Sequence, residues 1–307
     1  MNRLKLAAFL VTAALFAAPA FAQVTTLEKM RTTGKVTMGV RDGSVPLSFT
    51  LGDGKYAGFH VDICQQIINA ARRKLGLSTV EVSYQLVSSQ NRIPLVQNGT
   101  VDIECGSTTN NVARQKDVAF AVTTYIEEVR MAVRANSGIT SISQLNGKTV
   151  VTTTGTTSVQ HLRKHQKATG IDFKEVHGKD HQDSFLFLES GRADAYVIDG
   201  AMLASLIATS KNPTNFVVAG EVLNVEPIAI MMRKDDPELK KIADDTIRSL
   251  ATSGALRDLW AKWYLQPIPP KGVAIGLQTP ASIKAAWASL NDKPMEDYQP
   301  KAAPVKP

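Results

Sequence analysis

The chain has 307 residues, of which 35 are lysine or arginine and 28 aspartate or glutamate, giving a formal charge of +7 and an isoelectric point near 9.3. That length suits two units at roughly 100–200 residues each. The cations are scattered and form no stripe with aromatic residues, which argues against a nucleic-acid stacking surface and leaves a basic exterior suited to small anions.

The first segment, MNRLKLAAFLVTAALFAAPAFA, places Arg3 and Lys5 before an apolar run that ends in Ala20-Phe21-Ala22. A basic start, an apolar middle and an A-x-A site predict a secretory signal peptide, residues 1–22, removed after Ala22. Loss of Arg3 and Lys5 takes the charge from +7 to +5. The run is short for the ~20 residues of a membrane span and contains Pro19, which disfavours a retained anchor. The mature chain is expected to be exported and soluble. Cys64 and Cys105 are the only cysteines; in an oxidising compartment they permit one disulfide, and two buried thiols remain equally open.

A short helix around Leu27 to Arg31 leads into the strand KVTMGVR, ending at Arg41. DGSVPLSF reads as a loop and DGKYAGF as a hairpin turn. From Gly58 to Leu75 the residues Ile63, Ile67, Ile68, Ala71 and Leu75 share one face, with Gly76 as a stop, so this segment is a helix. VEVSYQLV alternates as a strand. In SSQNRIPLVQNG, the polar Ser88, Ser89 and Asn91 read as an N-cap cluster for a short helix that Gly99 ends. VDIECG is a buried strand running into the hydroxyl- and amide-rich GSTTNN. This βαβαβ order calls for a mainly parallel sheet, and ligands bind at the carboxyl ends of such strands. Arg92 and Arg114 bracket that strand end, and their joint placement suits an anion.

A second α/β unit repeats the pattern from about Ala135 to Val222. A strand, Thr149 to Thr153, runs through a Gly-Thr-Thr-Ser loop into a helix. FKEVHG, ADAYVID and NFVVAG are strands, and HQDSFLFLESG and AMLASLIA are helices. EEVRMAVR and VEPIAIMMR, some 100 residues apart, read as two crossings between the units. The return leads into helices from Pro237 to Ser253 and from Ala255 to Tyr264, and the Pro-, Lys- and Ala-rich tail after Pro294 is expected to be disordered or loosely docked.

Several chemical motifs fall away on inspection. Gly147-Lys148-Thr149 lacks the glycine of a phosphate-binding loop, since Ile142 stands there. His161/His165 and His177/His181 are each four apart but have no HExxH pattern or cysteine companions, so no metal is expected. Asn98-Gly99-Thr100 matches a glycosylation sequon on a segment read as buried. No GxSxG elbow or Ser–His–Asp order supports catalysis.

The order GVRDGSVPLSF, SQNRIPLVQNG, DIECGSTTNN, GKTVVTTTGTTS, KDHQDSF, LESGRADAYVID and MMRKDDP resembles the periplasmic glutamate/aspartate-binding proteins of ABC importers, in the polar amino-acid branch of the bacterial solute-binding proteins. The match extends to about Pro270. The resemblance implies a two-lobed α/β fold, the type II periplasmic-binding-protein fold, whose lobes are joined by two hinge strands and close on a ligand between them. Residues 23–127 and 230–270 would form the first lobe, 128–229 the second, and 271–307 a C-terminal extension with a partly disordered tail. It also implies that Arg41, Ser89 and Arg92, with His181 from the second lobe, lie near the ligand's side-chain carboxylate. Ser107, Thr109, Arg114, Thr156 and Thr157 would hold the α-carboxylate and amino group, with Asp199 taking the ammonium. The partners implied are L-glutamate or L-aspartate and a membrane permease. The protein would act as a periplasmic monomer without catalytic residues, cofactor, metal or nucleic acid.

Two departures accompany the resemblance. A cysteine expected near the second crossing is replaced within PIAIMM, so any bridge to Cys105 would have to use Cys64, a geometry the reading disfavours. Gly200 follows Asp199 where a second acid is expected. Three arginines and Asp199 would match the two carboxylates and one ammonium of glutamate. The competing reading is a dehydratase-like enzyme on the same scaffold, which would need a general acid in the cleft; Glu104 and Cys105 point to opposite faces of their strand, and neither is assigned to it.

Overall fold

The computed structural model describes residues 24–298, so the expected signal peptide and the last residues of the tail lie outside the described residues. The first lobe is built on a five-stranded sheet in the order Glu81–Leu86, Lys35–Val40, Ile103–Glu104, Met231–Arg233, Val118–Phe120. The first three run parallel. Met231–Arg233 is antiparallel to both neighbours, because it enters the sheet on the way back from the second lobe. Helix Phe59–Lys74 turns Phe59, Ile63, Ile67 and Ala71 to the core at helical spacing. Helix Pro237–Ser253, whose ends agree with the sequence reading, buries Leu239, Ile242, Ala243 and Ile247 in the same cluster.

The second lobe has its own five-stranded sheet, ordered Lys174–Gly178, Thr149–Thr153, Ala195–Asp199, Tyr125–Arg134, Phe216–Ile228. Its first three strands are again parallel, and Tyr125–Arg134 is antiparallel to both of its neighbours. The last two strands are the crossings. They pair with each other from Tyr125↔Ile228 to Arg134↔Phe216, with a register shift between Ala219 and Asn224. NFVVAG and VEPIAI are therefore one bent strand rather than two. At its first-lobe end, Tyr125 stacks on Trp260 and Tyr264, whose rings lie 3.8 Å apart. Such aromatic contacts anchor the start of the crossing to the first lobe.

Other differences from the sequence reading have local causes. DGSVPLSF is not a loop: Gly43–Ser44, Ser48–Gly52 and Lys55–Ala57 form a three-stranded antiparallel sheet. VDIECG keeps only Ile103–Glu104 as strand, because beyond Cys105 the chain turns into the cleft. Ser88 and Asn91 do not cap helix Arg92–Gln97; each side chain accepts from the other's backbone N–H. Asn98 is exposed, not buried. The extension carries a helix, Ala281–Ala288, and is hydrogen-bonded rather than loose as far as Tyr298. Trp287 Nε1 donates to Thr124 O, Met295 N–H to Asn110 O, and Val112 N–H to Glu296 Oε2.

The disulfide geometry that the sequence reading disfavoured is the one adopted. Cys64 and Cys105 are bonded, with Cα atoms 6.3 Å apart, inside the usual window for a bridge. Helix Phe59–Lys74 packs over the sheet, so the apolar face that carries Cys64 lies above the end of the strand preceding Cys105. The bond ties that helix to the loop leading into the cleft.

Candidate functional site

Each lobe presents strand ends and helix starts to the cleft. On the first lobe, Arg41 follows strand Lys35–Val40, Arg92 opens helix Arg92–Gln97, and Ser107 and Thr109 follow Ile103–Glu104. On the second, Thr157 and His181 are the first residues of their helices, Thr157–Thr169 and His181–Glu189, and Asp199 ends strand Ala195–Asp199. Together Ser89, Arg92, Ser107, Thr109, Thr156, Thr157, His181 and Asp199, with Ile198, line a small cavity between the lobes.

Two of the ten expected residues stand behind the wall. Arg41 Nη2 donates to Ser89 Oγ at 2.9 Å and lies 3.2 Å from His181 Nε2. Arg114 Nη1 donates to Thr109 O at 2.9 Å, and its Nη2 to Gly155 O of the opposite lobe at 3.4 Å. Both arginines thus brace the site, Arg41 through a serine and a histidine and Arg114 through main-chain carbonyls.

The lobes meet closely along this seam. A Cβ on Gly155 would fall 2.8 Å from Gln90 Cα and N and from Ser89 C. One on Gly43 would fall 2.8 Å from Gln182 Cγ, again across the lobes. Thr109 Oγ1 and Thr157 Oγ1, one from each lobe, are 3.3 Å apart.

Cations dominate one end. Arg92 is 2% exposed, and charged side chains are rarely buried so deeply without partners. Its Nε and Nη1, and Arg41 Nη1, are buried and have no hydrogen-bond partner among the described residues. Burial, then the charge of Arg92, lowers Arg41 to about 10 and Arg114 to about 9; burial also lowers Arg92. All three remain cationic near neutrality. Burial and the charges of Arg41 and Arg92 push His181 well below the usual imidazole range, so its ring is neutral. Its Nε2 therefore accepts from Arg41, and Nδ1–H donates to Thr153 Oγ1 at 3.2 Å. In this geometry His181 orients Arg41.

Acids dominate the other end, and sequence reasoning found only one of them. Burial, then the charge of Glu226, raises Asp199 to about 7. Glu226, on the returning crossing strand, is fully buried; its Oε2 accepts from Thr109 Oγ1 at 2.5 Å and Thr157 Oγ1 at 2.9 Å, and its Oε1 from His161 Nε2 at 2.7 Å. Burial alone would raise Glu226, but the hydrogen bond and charge of His161 and the two threonine bonds hold it below the usual carboxylate range. Glu104, also fully buried, lies instead at the arginine end, where a Cβ on Gly106 would meet both its Oε1 and Arg41 Cγ; it accepts from Thr108 Oγ1 at 2.7 Å, and its charge favours the cationic form of Arg41, Arg92 and Arg114. Two buried acids, Glu104 and Glu226, thus join Asp199 around the three arginines. An acid inside the apolar strands VDIEC and VEPIAI was the available signal.

The pattern of the bacterial extracellular solute-binding proteins, family 3, matches residues 36–266. The chain is 41% identical over 290 residues to the L-glutamate/L-aspartate-binding protein of Pseudomonas aeruginosa, covering 93% of this chain and 96% of that one. It is 40% identical over 268 residues to the glutamate/aspartate import solute-binding protein of Escherichia coli, covering 87% and 89%. Among solved structures, the solute receptor for L-cysteine of Neisseria gonorrhoeae is similar at TM-score 0.69 and 25% identity, over 81% of this chain and 99% of that one.

Proposed function

Because the chain belongs to the bacterial extracellular solute-binding proteins, family 3, we propose that it captures an acidic amino acid, L-glutamate or L-aspartate, between its lobes and delivers it to the permease of an ABC importer. Its fold is the two-lobed type II periplasmic-binding-protein fold, and its place is the periplasm. Its close relatives are solute-binding proteins, not enzymes, and the dehydratase-like alternative is set aside.

One observation carries the ligand assignment: a small closed cavity has unpartnered, buried guanidinium N–H groups at one end and a buried aspartate at the other. Arg92 and Ser89 would hold the side-chain carboxylate, with Arg41 behind them and His181 orienting it. Ser107 and Thr156 would serve the α-carboxylate, with Arg114 behind them, and Asp199, with Thr109 and Thr157, the amino end. Charge-assisted bonds of this kind contribute about 1.5–3 kcal/mol each, and arginine can grip a carboxylate through two parallel bonds. The assignment extends to the rest of the chain: a signal peptide cleaved after Ala22, lobes at 23–127 with 230–270 and at 128–229, an extension at 271–307, and a monomeric mature protein.

Calorimetric titration of ligand-stripped mature protein with glutamate, aspartate, glutamine and asparagine tests the proposal. A carboxamide would leave the Arg41–Arg92 end short of an anion. Leaving a buried charge unpaired costs about 3–5 kcal/mol, which corresponds to at least about a hundredfold in affinity. Equal affinity for glutamine and glutamate would falsify the assignment.

A further inference from the structure

Glu226 does not line the cavity; Thr109 and Thr157 stand between its carboxylate and the ligand space. The three groups that bond to it come from both sides of the cleft. Thr109 belongs to the first lobe, and Thr157 and His161 to the first two turns of helix Thr157–Thr169 in the second. A hydroxyl carries one proton and two lone pairs, and an ionised carboxylate only accepts. The two hydroxyls also lie 3.3 Å from each other, but the bonds to a charged oxygen at 2.5 and 2.9 Å are shorter and stronger. Both protons therefore point at Glu226, and what remains of each oxygen toward the cavity is lone pair.

We infer that Glu226 is a positioning residue for ligand selection: by taking the hydroxyl protons of Thr109 and Thr157, it presents both threonines to the ligand as acceptors only. This inference rests on the amino-acid reading of the site. Two hydroxyl oxygens and Asp199 line the same cavity, and together they offer three acceptors to the three N–H donors of an ammonium. A carboxylate oxygen placed there would meet lone pairs and an acid. Glu226 thus makes this end selective for the amino group although it touches no ligand.

The test compares each amino acid with its deaminated counterpart: glutamate with glutarate, and aspartate with succinate, titrated calorimetrically into wild type and Glu226→Gln. Wild type is expected to prefer the amino acid by about a hundredfold or more. In Glu226→Gln the amide can donate, the hydroxyls are free to turn, and the amino acid should weaken by about tenfold to a hundredfold, the worth of one charge-assisted bond. The deaminated acid should stay within about twofold or tighten. A purely structural role for Glu226 would weaken both ligands equally, and that result overturns the inference, as does an unchanged ratio.

Thr157→Val supplies the second arm, should Glu226→Gln fail to fold. If the hydroxyl is an acceptor, only the amino acid weakens; if it donates to a ligand carboxylate, both ligands do, and the inference fails. Wild type that binds neither glutamate nor aspartate would refute the functional reading itself, whereas normal wild-type binding with an unmoved ratio refutes only the role of Glu226.

Discussion

Gly155→Ala separates the closed arrangement of the lobes from the stability of the second lobe. Gly155 has φ +80°, and its absent Cβ would fall 2.8 Å from backbone atoms of Ser89 and Gln90 across the cleft. Two effects follow. A left-handed alanine costs roughly 1–2 kcal/mol, but that strain is local and present whether the lobes are open or closed, so it lowers stability and leaves affinity alone. The overlap exists only when the lobes meet. Ordinary carbon contacts lie near 3.5–4.0 Å, so the seam would have to part by more than half an ångström, and its partner is backbone that cannot rotate away. Overpacking of this kind costs typically about 1–3 kcal/mol, equivalent to about a 5- to 150-fold weaker Kd. Titration with glutamate reads the second effect, urea unfolding reads the first, and small-angle scattering with saturating ligand should show a larger radius of gyration than wild type. A Kd within about twofold of wild type, alongside the expected loss of stability, would refute the argument that this contact limits closure.

Proton release should accompany binding. Asp199 sits near 7 in the ligand-free protein, raised by burial and by Glu226, and a bound ammonium would favour its ionised form. The complex then holds fewer protons than the free protein, so affinity should rise with pH up to about 7 and level off above it. Titrations at pH 6 in buffers of differing ionisation enthalpy should report close to one proton released per ligand, falling toward zero by about pH 8.5; uptake, or no dependence on buffer, would count against the acid–ammonium pairing. Reducing the Cys64–Cys105 bond, which spans 41 residues of sequence, should lower urea-unfolding stability by about 3–4 kcal/mol on chain-entropy grounds, and an unchanged midpoint after confirmed reduction would show that the reduced, unfolded chain is no less restricted.

Periodicity reveals the architecture well where burial is one-sided. Helices Phe59–Lys74 and Pro237–Ser253 and the central strands of both sheets announce themselves because each must turn an apolar face to a core. The residues alone made the strand end at GSTTNN legible, bracketed by Arg92 and Arg114; the full set of ten came from the resemblance, and eight of them line one cavity between the lobes. What escaped depends on packing distance rather than pattern. The Cys64–Cys105 bridge needs the height of a helix above a strand end, and no spacing rule supplies that. Arg41 and Arg114 carry the right charge, but whether a long guanidinium reaches the cavity or stops at a carbonyl is decided by its neighbours. Glu226 lies on a crossing strand, far in sequence from the residues it organises, and Thr109 is 117 positions away. Its one visible trace was an acid among apolar neighbours.

The two crossings are bonded to one another, not merely parallel in space. Two strands joined side by side make a ribbon, and a ribbon flexes along one arc far more readily than its edges slide past each other. The half-sites therefore return to the same register each time. Two free proteins must search over mutual orientations at every encounter, which cuts association from a limit of about 10⁹–10¹⁰ to about 10⁵–10⁷ M⁻¹s⁻¹. Here that search is completed once, when the chain folds. A solute that reaches one jaw waits only for a swing of the hinge, so the rate of capture is governed by the diffusion of a small molecule and the stiffness of a ribbon.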